Sequence, residues 1–148
     1  MHYQHLPILQ LTDSAVQTAY TAAVRNLTEI NTIPCDFSVY NATGLLDPAV
    51  PLMIRAGGSY QSPWTRDASI NTWAAGRLLE PKVARNTLLA VCIKNENGDP
   101  IIQPDDQRWD RVVWIVGAWQ YYLASGDREF LGIARGIAAR ALKQLDTE

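Results

Sequence analysis

The sequence predicts an all-α fold made of helical hairpins. Five stretches repeat apolar residues at the three- and four-residue spacing of a helix, and capping residues, prolines and glycines separate them. The first, third and fifth stretches have one apolar face, whereas the second and fourth are apolar on nearly every side. This alternation indicates two buried helices inside three helices that each keep one face in water.

The composition indicates one domain, residues 1–148. The chain is 47% hydrophobic and 19% charged, which is enough for one core of ordinary size. Its formal net charge of −2 gives no electrostatic reason to bind nucleic acid or an anionic membrane surface. The uncharged helical stretch has roughly 13 residues, whereas a bilayer span needs about 20. We therefore expect neither nucleic acid nor a membrane as a partner.

The first predicted helix covers residues 14–30, and a Thr-Asp-Ser sequence at 12–14 provides its capped start. A long stretch rich in proline and glycine follows at residues 31–63. Within it, residues 35–40 alternate like a short strand, for which residues 50–55 are a partner. The sequence thus predicts a long loop or a short β-hairpin between helices one and two.

The second and third predicted helices form a hairpin. The second covers residues 65–79, and the third begins at Pro81, because proline suits the first position of a helix. The third helix runs to about residue 94 and is expected to show Arg85 and Asn86 to water. Since the connection is short, the two helices are expected to be antiparallel.

The fourth and fifth predicted helices form a second hairpin. A plain turn at residues 95–100, which misses the spacing of a calcium loop, precedes them. The fourth helix covers residues 112–124 without a charged side chain, and Asp127 caps the fifth, which runs to about residue 145. If the hairpins stack side by side, the second and fourth helices run parallel and begin on the same side of the molecule.

The start of each buried helix carries a cluster of Trp, Arg and Asp, at residues 64–67 and 108–110. A carboxylate accepts hydrogen bonds from neighbouring hydroxyls, a guanidinium donates to oxygen atoms, and a tryptophan face stacks on the C–H surface of a sugar ring. The pattern therefore predicts a sugar-binding pocket whose substrate-binding residues are Trp64, Arg66, Asp67, Arg108, Trp109 and Asp110.

Simpler interpretations apply to some of these residues and their neighbours. An Arg-Asp pair at a helix start is often a cap with a surface ion pair. Trp73, Trp114 and Trp119 lie within helices and are expected in the core. Asp105 and Asp106 are expected to be solvated loop residues.

The cysteines indicate no metal site and no cofactor. Cys92 is expected to be a small buried side chain of the third helix, and Cys35 lies in an extended segment. Their separation fits no zinc or redox spacing, and a disulfide between them is the alternative to two free thiols.

Both Trp/Arg/Asp clusters resemble those of the six-hairpin glycosidases. Residues 63–67 are followed by a helix rich in alanine and tryptophan, and residues 107–110 precede the helix that ends at Ser125-Gly126-Asp127. This superfamily includes glucoamylases, trehalases, and debranching and processing α-glucosidases. The resemblance covers about residues 13–148 and implies an (α/α)6 toroid.

The resemblance also implies roles for individual residues. Arg66 and Asp67 would hold the hydroxyls of the sugar in the −1 subsite, Trp64 would form a wall, and residues 108–110 resemble the second sugar-lining loop. The implied substrate is an oligosaccharide or α-glucoside. The implied reaction is hydrolysis by a carboxylic acid and a carboxylate.

A complete toroid has twelve helices and needs roughly 350 residues, whereas this chain supplies about five helices. We therefore expect the N-terminal portion of a catalytic domain, with the acid/base pair beyond Glu148. Within the chain, Asp67 and Asp110 are the candidates for these carboxylates. Apolar faces left open would favour self-association or completion by the rest of the toroid. The alternatives are a carbohydrate-binding protein without catalysis and a helical-hairpin interaction protein.

Overall fold

The computed structural model describes residues 8–105 and 107–147. This part of the chain is mostly helical and contains two small antiparallel sheets. The helices are α1 (Ser14–Arg25), α2 (Phe37–Tyr40), α3 (Thr65–Asn71), α4 (Arg77–Leu79), α5 (Pro81–Ala90), α6 (Asp110–Ser125) and α7 (Arg128–Thr147). Two π-helical segments lie at Asn26–Ile30 and Thr72–Gly76, and the strands are β1 (Thr32–Pro34), β2 (Leu52–Ile54), β3 (Cys92–Lys94) and β4 (Pro100–Ile102).

The first predicted helix is confirmed, since α1 continues through the π segment Asn26–Ile30. The Asp13 carboxylate caps it by accepting hydrogen bonds from the backbone N–H groups of Ala15 and Val16, at 2.9 and 3.2 Å. Among the described residues, α1 has no buried side chain. Its apolar stripe is therefore at most partly covered by the rest of the described chain.

The strand prediction for residues 35–40 is wrong, whereas its partner is confirmed. The paired strands are β1 and β2, with Ile33 opposite Met53. Residues 37–40 form the single turn α2, because the Asp36 carboxylate accepts hydrogen bonds from the Ser38 backbone N–H at 2.9 Å and from its hydroxyl at 2.6 Å. This local cap outweighs the alternating pattern.

The third predicted helix extends about four residues too far. The observed helix, α5, ends at Ala90, and residues 92–94 form β3, which pairs with β4 so that Cys92 lies opposite Ile102. The predicted turn between them is confirmed. The Asn95 side chain accepts hydrogen bonds from the backbone N–H groups of Asn97 and Asp99, and Gly98 adopts a φ of 82°.

The prediction that Asn86 and Arg85 face water is also wrong. Asn86 is fully buried, where its amide accepts from the Asp47 backbone N–H at 2.9 Å and donates to the Val50 carbonyl at 2.7 Å. Arg85 is mostly buried and forms an ion pair with Asp127 at 3.4 Å. Both side chains tie the long loop and α7 to α5, because the loop carbonyls need donors once they are buried.

The second, fourth and fifth predicted helices are confirmed. The second is α3, the π segment Thr72–Gly76 and α4 in unbroken succession, and it stops before Pro81. The fourth is α6, which ends at Gly126 in the left-handed conformation, with a φ of 67°. The Asp127 carboxylate accepts a hydrogen bond from the Phe130 backbone N–H at 2.9 Å at the start of α7.

Helices α3 and α6 run parallel and start on the same side of the molecule. The Arg66 side chain bonds Asp110, the Ser69 hydroxyl donates to the Val113 carbonyl, and farther along the Arg77 side chain donates to the Gln120 carbonyl at 3.1 Å. These partners are separated by 44, 44 and 43 positions in the chain. Such a constant offset is possible only between parallel helices, and it confirms the predicted arrangement of the two helix starts.

The prediction that the second and fourth helices are buried on every face is wrong for the described chain. Trp114 is completely buried in the core, as expected, but Trp73 and Trp119 are 46% and 49% exposed. The exposed apolar face consists of Ile70, Trp73, Leu78, Val112, Val116, Trp119 and Leu123.

A membrane span is not among the described helices, since none of them combines the length and the apolar character that crossing a bilayer requires.

Candidate functional site

A cleft of about 340 Å³ lies where α3 and α6 begin. This volume is within the range of small-molecule sites, about 300–1,000 Å³. Three of its lining residues belong to the first predicted cluster, and the others are an aromatic residue from the preceding loop and two acidic residues around the start of α6. The lining residues are Tyr60, Trp64, Arg66, Asp67, Asp105 and Asp110.

Arg66 is held in place by the start of the neighbouring helix. Its Nε and Nη2 donate to the two carboxylate oxygens of Asp110, at 3.1 and 3.4 Å, and its guanidinium carbon lies 4.6 Å from the ring centroid of Trp109. Asp110 is buried, and its hydrogen bond raises the pKa of Arg66. The fork and the stacked ring fix the guanidinium in one orientation at the cleft.

Asp67 lies near the Arg66 guanidinium, which is itself paired with Asp110. Burial raises the pKa of Asp67, the nearby guanidinium of Arg66 opposes the rise, and the charges of Asp110 and Asp105 add to it. Within the ranges that the structure covers, the protein donor to this carboxyl group is its own backbone N–H. Its remaining lone pairs are available to accept hydrogen bonds from a ligand.

Two aromatic residues, Tyr60 and Trp64, line the cleft, and a third, Trp109, packs on its arginine. Trp64 is 40% exposed and meets Tyr60 edge to face, with 6.4 Å between ring centroids. Trp109 stacks on Arg66, one of the lining residues; it is 49% exposed, and its indole N–H donates to the Gln107 side chain at 3.2 Å. These rings offer apolar faces beside polar groups, as a site for a hydroxylated ligand requires.

The prediction that Asp105 is a solvated loop residue is wrong. One carboxylate oxygen accepts a hydrogen bond from the Thr65 backbone N–H at 2.9 Å, and the other accepts from the Gln103 side chain at 3.1 Å. Asp105 therefore caps α3 from a loop forty residues away, a role that no local pattern could reveal. The matching prediction for Asp106 lies outside the described residues.

The structure brings together most of the predicted site residues. The cleft is lined by four of them, Trp64, Arg66, Asp67 and Asp110. Trp109 stacks on Arg66. Arg108 is exposed and is not among the lining residues. Sequence reasoning missed Tyr60, although the Gly-Gly-Ser loop that precedes it gave a signal of a shaped approach to the cluster.

The chain matches no protein-family model, and it shows no similarity to a curated protein or to a solved structure.

The cysteines take no part in this site. Cys35 and Cys92 are free thiols and both are buried, so the disulfide alternative does not apply. Burial raises the pKa of each thiol. In the part of the chain that the structure describes, no group of three or more His, Cys, Asp or Glu side chains could hold a metal ion.

The raised pKa of Asp67 predicts a pH-dependent effect of the Asp67→Asn substitution. The protonated carboxyl is favoured in the folded state, so its contribution to stability is present below the unfolded pKa of about 4 and is lost as pH rises through the folded pKa. The free energy of unfolding of the variant minus that of the wild type should therefore increase with pH across this interval. Urea denaturation of both proteins between about pH 3 and pH 7 measures this difference.

The Asp36→Asn variant is the matched control. Hydrogen bonds from Ser38 lower the pKa of Asp36, so the sign reverses: its contribution is present above the unfolded pKa and is lost as pH falls. The difference between Asp36→Asn and wild type should therefore decrease with pH. Equal slopes for the two variants would contradict the assignment.

Proposed function

We propose that this chain forms the substrate-binding part of a glycoside hydrolase, with the terminal sugar of an α-glucoside in the cleft. The observation that carries the proposal is the meeting of the two Trp/Arg/Asp clusters at one cleft, through the ion pair between Arg66 and Asp110. Forty-four positions separate these two residues in the chain. A pair of unrelated surface clusters would have no reason to share one opening.

The side chains at the cleft suit a sugar. The Asp67 carboxylate has free lone pairs for two neighbouring hydroxyl groups, and the fixed guanidinium of Arg66 donates to sugar oxygens. Trp64 and Trp109 are each about half exposed, so that a pyranose ring could cover them and exclude water. Hydrogen bonds to charged groups and stacking on aromatic rings together fix both the position and the orientation of the ring.

Hydrolysis itself requires two carboxyl groups, one acting as general acid and one as base, roughly 6.5–9.5 Å apart in an inverting enzyme. Asp110 is committed to Arg66, so it is poorly suited to either role. In this proposal the chain is the N-terminal portion of an (α/α)6 toroid, and residues beyond Glu148 supply the acid and the base. The exposed apolar face of α3 and α6 supports the toroid, because the next hairpin of a ring would cover it.

A carbohydrate-binding protein without catalysis is the second candidate. The ion pair of Asp110 favours it, because only one carboxyl group of the two clusters, that of Asp67, is then left for chemistry.

Titration with glucose and with an iminosugar tests sugar binding. We expect saturable NMR shifts of the indole N–H signals of Trp64 and Trp109. The variant Asp67→Ala should weaken binding by about tenfold or more, because hydrogen bonds to charged groups contribute about 1.5–3 kcal/mol. Trp64→Ala should also weaken binding, because it removes an aromatic face on which the sugar ring stacks. Trp119→Ala and Asp146→Ala are the matched controls, since both side chains are exposed and lie outside the cleft.

Unsaturable shifts, or equal losses in the site variants and their controls, would rule out the cleft as a sugar site. Hydrolysis is tested separately with aryl α-glucosides, by assaying this chain beside the natural polypeptide, which in this proposal also carries the acid and the base. Activity of the natural polypeptide that Asp67→Ala abolishes would support the hydrolase. Sugar binding with no hydrolysis by either protein would favour the carbohydrate-binding candidate.

A further inference from the structure

We propose that Asp105 is a positioning residue of the cleft, which fastens the loop before α6 to the start of α3 and thereby sets the arrangement of Trp64, Arg66 and Asp67 around a bound sugar. This inference rests on the proposed function. It goes beyond the two clusters, since Asp105 belongs to neither of them.

The start of α3 depends on Asp105. In the described part of the chain, Trp64 provides no side-chain cap for this helix, and Thr65 is completely buried. The Thr65 backbone N–H is one of the donors that a helix leaves unpaired at its first turn, so it needs an acceptor where water is absent. The Asp105 carboxylate is that acceptor, at 2.9 Å.

Asp105 is itself held by the loop that carries it. The Gln103 side chain donates to its other carboxylate oxygen at 3.1 Å, and the Gln103 backbone N–H donates to the Val91 carbonyl at 3.0 Å. Gln103 directly follows β4, which is paired with β3. The acceptor for α3 is therefore anchored to the second sheet rather than to a free loop.

Two connections join this loop to the start of α3. The first is the bond from Thr65 to Asp105, and the second is the ion pair between the next residue, Arg66, and Asp110. Together they link the start of α3 at two points to the segment that leads from Asp105 to the first residue of α6. If the first connection is removed, the helix start can rotate about the remaining ion pair, and the adjacent side chains lose their common orientation.

Two variants separate the hydrogen bond of Asp105 from its charge. Asp105→Asn keeps a side-chain oxygen to accept from Thr65 and removes the charge, and its NH2 group can donate to Gln103 once the Gln103 side-chain amide turns its oxygen toward it, whereas Asp105→Ala removes both bonds and the charge. Asp146→Ala, at an exposed position of α7, is the carboxylate control. Thermal unfolding of the full chain, followed by circular dichroism, establishes a temperature at which all variants are folded, so that binding is compared among native proteins only.

We expect the dissociation constant of the iminosugar to rise about tenfold in Asp105→Ala and to stay within about threefold of the wild type in Asp105→Asn and Asp146→Ala. Amide hydrogen exchange at Thr65 should accelerate in Asp105→Ala and not in Asp105→Asn. Wild-type affinity in Asp105→Ala, or equal losses in both Asp105 variants, would overturn this inference alone. A wild-type chain that binds neither glucose nor the iminosugar would overturn the proposed function, and this inference with it.

Discussion

Replacement of Trp114 by alanine is expected to lower the free energy of unfolding by about 3–5 kcal/mol, the cost typical of removing a large aromatic side chain from a core. Trp114 is fully buried in the middle of α6, and its indole N–H donates to the Leu88 carbonyl of α5 at 2.8 Å. The substitution leaves a cavity between two helices and removes the indole donor from the Leu88 carbonyl, which then has the weaker donor of the Cys92 thiol at 3.5 Å. Urea denaturation monitored by circular dichroism measures the loss.

Two further variants divide this effect into its parts. Trp114→Phe keeps most of the volume and removes the hydrogen bond, so it should cost about 1 kcal/mol plus the smaller loss of packing. Trp119→Ala removes the same side chain from the same helix at a half-exposed position, and it should cost much less. Equal losses for Trp114→Ala and Trp119→Ala would mean that the core does not lie between α5, α6 and α7.

Replacement of Gly117 by alanine is expected to destabilise the fold by about 2–3 kcal/mol and to weaken sugar binding at the same time. A Cβ atom at Gly117 would lie 2.8 Å from the Ser69 Cα and 2.9 Å from its Cβ, so that the backbones of α3 and α6 would have to separate. The same two helices carry Arg66 and Asp110 across the cleft. Their separation should therefore lengthen the ion pair as well as reduce packing.

The matched control is Gly132→Ala in α7. An added Cβ at Gly132 meets no atom within 4 Å, so this substitution should raise the free energy of unfolding by about 0.4–1 kcal/mol through the entropy of the unfolded chain. The two glycine variants should thus have opposite signs in urea denaturation. Because alanine has the higher helix propensity, destabilisation by both would point to steric strain around each glycine rather than to the close approach of α3 and α6.

The helices were predictable because the signals that define them are local. Spacing of apolar residues indicated each long helix, Asp13 and Asp127 are side-chain caps, and Pro81 marks a boundary through its own ring. The second sheet was not predictable on this basis. Residues 92–94 continue an apolar run, and only their pairing with β4 determines that they form a strand.

The buried or exposed state of an apolar helix also depends on distant parts of the chain. Trp114 and Trp119 lie in the same uncharged stretch, yet one is completely buried and the other is half exposed. The sequence of α6 predicts that both sides of the helix are apolar. It does not predict which neighbouring elements cover each side. Asn86 is the converse case, a polar residue that is buried because the loop carbonyls around Val50 need a donor.

Some residues of the candidate site could be predicted from local sequence patterns, and others could not. Residue types and a repeated cluster predicted Trp64, Arg66, Asp67 and Asp110, since these residues sit at helix starts that a hairpin arrangement brings together. Asp105 was missed, because its role is a hydrogen bond to a helix that begins forty residues earlier. A pattern of local spacing contains no information on such a contact.

The separation of the contacting residues along the chain has a consequence for the order in which the molecule folds. The hydrogen bond of Asp105 and the ion pair of Asp110 each close a loop of 40 or more residues, whereas the turns within each hairpin close after a few. Long loops carry a larger entropic cost of closure, so we expect these contacts to form after the hairpins. A sugar in the cleft would then select the completed fold over every partly folded form, and its binding energy would stabilise the whole molecule rather than the loops it touches.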